Sequence, residues 1–359
     1  MSTIAPQGAA REVVGGVDTH KDTHTAAVLD AAGRVLGTEQ FAATAAGYAA
    51  LLNWLQGHGQ LLKVGVEGTG VYGAGLTEHL QKRKIELVEV DRPDRKTRRF
   101  QGKSDPIDAV AAARAALAEV RTGTPKERGG PVDGLRALRV ARRDAVDARA
   151  QVMKRIKALV VTAPEQLRTQ LNSLTDRVLI TTCAGLRPGV GDPLDVQVAD
   201  PIVASKVALK ALGRRHQQLS DDIADLDALL TPLIAALAPD LLAKNGVGTD
   251  VAGQLLVTVG DNPDRLRNES AFAALTGTSP IPASSGKTNG RHRLNRGGDR
   301  QANCALYRVT ICRMRWDPRT KAYVERRTTE GLSKKEIIRC LKRYIARELF
   351  LDLQALGTT

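Results

Sequence analysis

Four carboxylates stand at positions suited to phosphoryl chemistry. Asp18 closes the apolar run VVGGVDTH, Glu67 closes VGVEGTG, and Asp105 and Asp108 open the segment KSDPIDA. Residues three apart share one face of a helix, and acids at the ends of neighbouring strands open toward a common crevice. Like charges in one pocket repel unless cations neutralise them. One or two Mg²⁺ ions, with Mn²⁺ as a substitute, take such oxygen ligands and can hold the attacking and leaving oxygens of a phosphodiester. The expected metal set is therefore Asp18, Glu67, Asp105 and Asp108. Asp105-Pro106-Ile107-Asp108 also fits a helix start with Asp105 as N-cap, and capping is compatible with ligation. His20 and His24 lie four apart in a strand and turn, a spacing that does not bring them together, and they are set aside as ligands.

A second chemical region is the segment GTSPIPASSGKTNGRHRLNRGGDRQAN. Adjacent serines, Ser284 and Ser285, sit in a glycine-flanked loop beside Lys287, Arg291, Arg293, Arg296 and Arg300. A serine there is a candidate nucleophile toward a phosphate, with the arginines stabilising the charge that develops. Those five cations are also the expected nucleic-acid contacts. The charge balance agrees: the chain carries 53 Lys or Arg against 39 Asp or Glu, a net +14. Residues 277–315 and 316–349 hold +7 and +5 of it. A polyanionic partner bound toward the carboxy-terminal side is expected. Aromatic residues make up only 3%, which argues against stacking successive bases on exposed rings. Upstream, LLAKNGVGTDVAGQLL places Gly246 and Gly248 between two helical runs, as in a helix-hairpin-helix whose turn amides meet DNA phosphates.

The elements that must position these groups are legible from periodicity. Residues 12–40 read as three short strands in an antiparallel meander. A helix (AAGYAALLNWLQ), a strand (LKVGVE), a helix (VYGAGLTEHLQKR), a strand (IELVEVD), a basic loop from Arg92 to Lys103 and a helix from Ser104 or Asp105 follow. That alternation means an α/β sheet with parallel members and covering helices. Residues 121–134, rich in glycine, proline and charge, read as a linker. Leu209, Leu212, His216, Leu219, Ile223, Leu226, Leu230, Leu233 and Leu237 then recur in alternating steps of three and four. Such a seam fits a coiled coil that joins protomers, or two helices of one bundle. The expected division is 1–122, 123–240 and 241–359.

The four cysteines, Cys183, Cys304, Cys312 and Cys340, form no CxxC; they read as small core residues in a reducing cytosol. No run of the chain is apolar enough to span a membrane, and the first residues do not resemble a signal peptide, so a soluble, unexported protein is expected. Gly68-Thr69-Gly70-Val71-Tyr72-Gly73 formally matches a dinucleotide fingerprint. It follows the fourth strand instead of the first and leaves Asp18, the DPID segment and the basic tail without a role. The first hairpin also resembles the phosphate loop of actin-like sugar kinases, but no second nucleotide motif accompanies it.

VDTHKD, VEGTGVYG, KSDPIDA and the serine segment, in this order and spacing over about residues 12 to 350, together resemble the DEDD-type insertion-sequence transposases that use a bridge RNA. The resemblance implies a RuvC-like domain of the ribonuclease H fold, a coiled-coil segment and a mainly α-helical transposase domain. It makes Asp18, Glu67, Asp105 and Asp108 the DEDD metal set. It puts the nucleophilic serine just before a glycine, hence Ser285, with Ser284 as the neighbouring alternative. DNA ends and target, a structured guide RNA and further copies of the chain, as a dimer or tetramer, would be the partners. Catalytic groups would be shared between protomers, and the setting would be a bacterial cytoplasm at the nucleoid. A junction-resolving nuclease that uses water, or a non-catalytic nucleic-acid-binding regulator, are the alternatives.

Overall fold

The structure is a computed structural model that describes residues 11–90, 104–120, 122–188, 200–284 and 292–356. The chain forms two compact units. One comprises the residues up to Gly130 together with Val259–Asn268, and the other comprises Pro131–Thr258 and the residues from Glu269 onward.

The first unit begins with the expected meander, β1 (Glu12–Thr19), β2 (Thr23–Asp30) and β3 (Val35–Ala42). Helix α1 (Ala45–Gly57), β4 (Gln60–Glu67), α2 (Ala74–Lys82), β5 (Leu87–Val90), α3 (Asp105–Ala118) and the short β6 (Thr122–Gly123) follow. The sheet order is β3-β2-β1-β4-β5-β6, with β1, β4 and β5 mutually parallel and the remaining pairings antiparallel. This mixed α/β sheet is compatible with a RuvC-like fold. Its central strands read as nearly continuous apolar runs because helices cover both faces. On one face Leu51, Leu52 and Leu55 of α1 and Leu76 and Leu80 of α2 pack with Val13, Val17, Val64 and Val66. Each fully buried leucine contributes about 1.5–3 kcal/mol relative to exposure.

On the other face α3 lies unusually close to the sheet. Its buried residues after Asp108 are all alanine, Ala109, Ala112, Ala113 and Ala116. The strands answer with glycine. A Cβ at Gly16 would overlap the backbone of Ala109 and Ala113, and one at Gly65 would lie 2.7 Å from the Ala112 carbonyl oxygen. Only side chains this small allow the contact, and the contact delivers the first turn of α3 to the end of β1. Gly16→Ala is therefore expected to lower stability by about 3 kcal/mol or more, because the obstacle is backbone that cannot rotate away. In Gly57→Ala the new methyl meets nothing within 4 Å, so that variant should hold or gain up to about 1 kcal/mol. Urea denaturation of both variants checks the contrast.

Of the segment 121–134, read as linker, Pro125 and Glu127 are tied down in this unit, while Pro131–Gly134 open the first helix of the second. Asn262 accepts from the Glu127 amide at 3.0 Å and donates to the Pro125 carbonyl at 3.0 Å.

The second unit is helical. It contains α4 (Pro131–Thr162), α5 (Glu165–Leu171), α6 (Asp176–Gly185), α7 (Pro201–Leu237), α8 (Pro239–Leu242) and α9 (Thr249–Val259). After a 3₁₀ turn at Pro263–Arg265 come α10 (Glu269–Leu275), the strands β7 (Ile281–Pro282) and β8 (His292–Arg293), α11 (Arg300–Trp316), α12 (Pro318–Thr329) and α13 (Lys334–Ala355). Helices α4 and α7 pack antiparallel: Arg142 bonds Asp227 at 2.5 and 3.0 Å, and seven residues on, Arg149 donates to Ser220 at 3.4 Å. The leucine seam of α7 thus finds partners within its own chain, with Leu209, Ile223 and Leu230 buried. Of the cysteines, Cys183 is buried as expected, but Cys304 is exposed and Cys312 and Cys340 are half-buried. Among the described residues no helix is long and apolar enough to cross a membrane.

Candidate metal centre and basic hairpin

Asp18 and Glu67 occupy the ends of adjacent parallel strands. The pairing of β1 with β4 runs to Val17 opposite Val66, and each acid is the next residue of its strand. The Thr19 hydroxyl donates to the Glu67 carbonyl at 2.8 Å and ties the two ends together. Ser104, not Asp105, is the N-cap of α3. Asp105 and Asp108 fall in the first turn, where the helix dipole favours negative charge. Asp18, Glu67 and Asp108 are buried and Asp105 is half-exposed.

One residue set aside in the sequence belongs to this cluster. His20 Nε2 lies 3.2 Å from Asp18 Oδ2 and 3.3 Å from Asp105 Oδ1. One donor atom from each of Asp18, His20 and Asp105 falls within 4.8 Å of the others. Strand alternation contained the signal, because residues two apart point to the same face. His24 is different: it is buried in the core, stacked on Tyr48 at 5.5 Å, and burial pushes its imidazole pKa below the ordinary value. The donor set of carboxylate oxygens and one imidazole fits a divalent cation. Such a cation, bound there, would act as a Lewis acid toward a phosphate oxygen.

The Gly68–Gly73 loop turns inward. Its Val71 and Gly73 amides both donate to the Gly68 carbonyl, at 3.2 Å, so these two are engaged within the loop and do not face a phosphate.

In the second unit, Ile281 pairs with Arg293 and Pro282 with His292 in antiparallel register. These two short strands flank the serine segment as a hairpin base, and Ser284 is exposed just after β7. Ser285, Lys287 and Arg291 lie outside the described residues. The hairpin's return is fixed at Gly298, with φ of +80°, where a Cβ would stand 2.5 Å from the Gly277 amide nitrogen. Asp299 then caps α11, accepting from Gln301 and Ala302 at 2.7 and 3.2 Å. Arg293, Arg296 and Arg300 are exposed, and no ion pair among the described residues engages them. Arg293 also lines a cavity of about 500 Å³ at the hairpin base, with Arg339, Lys342, Arg343 and Tyr344 on its far wall. The Gly246 turn joins α8 to α9 with φ of +79°, as the two helical runs required.

Two family models match this chain. Residues 15–163 match that of the DEDD transposases of IS110 type, described as transposase, and residues 240–325 match "Transposase IS116/IS110/IS902 family". The chain belongs to the IS110 family of DEDD-type transposases. The first matched stretch contains all four carboxylates, and the second contains the serine hairpin. Similar proteins include the insertion element IS110 uncharacterized 43.6 kDa protein of Streptomyces coelicolor, 32% identical over 46% of this chain and 38% of that protein. The insertion element IS900 uncharacterized 42 kDa protein of Mycobacterium paratuberculosis is 25% identical over 37% of this chain and 34% of its own length. The matches thus span little more than a third of these relatives' own length.

Proposed function

We propose that this IS110-type chain is a DNA transposase that excises and integrates its own insertion sequence. The observation that carries the reading is the convergence of Asp18 and Asp105, 87 residues apart in sequence, at the end of β1, next to the strand β4 that ends in Glu67. In the proposed reaction Ser285 Oγ forms a bond to a DNA phosphorus as the bond to the 3′ oxygen breaks. The serine loses its proton, and the departing 3′ oxygen gains one. A phosphoserine link keeps the energy of the phosphodiester, so a 3′ hydroxyl of another strand can displace the serine and rejoin the DNA without ATP. Asp18, Glu67, Asp105 and Asp108 are proposed to hold Mg²⁺ or Mn²⁺, with ligands and serine brought together in an oligomer. Target choice is assigned to a structured guide RNA, since the low aromatic content and helical basic region supply no obvious reader of base sequence. Recombination at a defined target that proceeds fully after ribonuclease treatment, with no RNA restored, would remove the guide from this account. A plasmid recombination assay tests the activity itself.

Phosphate contact by the hairpin arginines makes a quantitative prediction. Each neutralised phosphate releases counterions and adds about 0.9 to the slope of log K against log salt. Arg293→Ala and Arg300→Ala are each expected to flatten that slope by about this amount. Arg313 is buried and forms a two-pronged bond to Glu348 at 2.7 and 2.9 Å, and so Arg313→Gln should leave the slope unchanged. Filter binding across a salt series gives the answer; an unaltered slope in the Arg293 and Arg300 double variant would place the contacts elsewhere.

A further inference from the structure

We propose that His20 is a nitrogen ligand of the divalent ion held by Asp18 and Asp105. This rests on the metal-site reading above and adds to it a donor outside the four carboxylates. His20 follows β1 directly, and its amide donates to the Thr23 carbonyl at 3.0 Å, which fixes the turn into β2. Two residues beyond Asp18, it lies on the same side of the strand, the side covered by α3. Its Nε2 stands 3.2 Å from one oxygen of Asp18 and 3.3 Å from one oxygen of Asp105.

Those separations are informative. Adjacent donors on a six-coordinate ion with bonds of about 2.0–2.2 Å stand about 3 Å apart. His20 Nε2 therefore already occupies a place that a neighbouring ligand would take on an ion shared with both carboxylates. Imidazole favours first-row transition ions over Mg²⁺, which prefers oxygen donors and its own waters. A mixed oxygen and nitrogen site should thus bind Mn²⁺ more tightly than Mg²⁺, and His20 should account for part of that margin.

Pulsed EPR of Mn²⁺ bound to the untagged full-length protein tests the assignment, because a coordinated imidazole imprints nitrogen modulation on the manganese signal. The expected result is modulation in the native protein that disappears in His20→Ala and His20→Asn. Mn²⁺ affinity should fall at least about tenfold, the lower end of what loss of even an outer-shell partner costs, and Mg²⁺ affinity should fall less. Circular dichroism verifies that both variants fold, as a half-exposed turn position allows. Mn²⁺ bound without nitrogen modulation, or modulation that survives in both variants, would overturn the His20 assignment and leave the carboxylate site standing. A native protein that binds no Mn²⁺ would overturn both.

Discussion

Asp18→Ala is expected to lower recombination by at least about a hundredfold, the scale on which a single group stabilising transition-state charge acts, while the protein stays folded. The two halves of that outcome share one cause. Asp18 is buried at a strand end beside Glu67, with Asp105 approaching from α3, so the site gathers negative charge. Removing one acid relieves repulsion in the metal-free protein and removes an anchor for the ion the chemistry needs. Thermal unfolding separates the halves. An ion that binds only the folded chain stabilises it by about 2.7 kcal/mol at a hundredfold excess over Kd. Native protein should therefore gain in Tm as Mn²⁺ rises, whereas Asp18→Ala should start at an equal or higher Tm and gain little. Native activity in the variant, or an unaltered response to Mn²⁺, would contradict the metal assignment.

The sheet and its acids were legible because local pattern decides them. Strand alternation, the glycine turns and the Asp-Pro helix start each act within a few residues, and they place Asp18, Glu67, Asp105 and Asp108 without tertiary knowledge. What escaped is non-local. The three-four seam of α7 shows that the helix has a partner, but spacing alone cannot say that the partner is α4 of the same chain. Within the apparent linker, Pro125 and Glu127 are held by Asn262, more than 130 residues away in sequence. Charge counting overstated the surface available to a polyanion. Arg313 is buried against Glu348, Arg343 and Arg347 share Glu269, and Lys342 is buried with its amine donating to Asn303 at 2.8 Å. Burial also pushes the Lys342 pKa down. Exposed cations remain at Arg293, Arg296 and Arg300, which no ion pair among the described residues engages, and along the following helices at Arg315, Arg319, Lys321, Lys334 and Lys335. His20 stands four residues from His24 but two from Asp18, and the second spacing is the one that puts it beside the carboxylates.

Ser285→Ala should abolish both the covalent protein-DNA adduct and strand exchange, whereas Ser284→Ala should retain at least part of each. A seryl hydroxyl is a weak nucleophile until its proton is removed or a cation stabilises the charge formed, so the reacting serine must meet the phosphate where the metal ligands act. Adjacent side chains in extended chain face opposite ways. The hairpin is in β register at Ile281–Pro282, and the two serines follow after one intervening residue; only one of them can be presented to a given phosphate if that alternation continues. The resemblance to the DEDD-type transposases, in which the serine stands just before a glycine, points to Ser285 over Ser284. Denaturing gels of protein incubated with labelled DNA and Mn²⁺ report the adduct directly, and Asp18→Ala should give none on the same gel. The reverse pattern between the two serines would move the role to Ser284. An adduct persisting in the double variant would exclude this hairpin as its source, and strand cleavage without any adduct would make water the nucleophile on the same carboxylates.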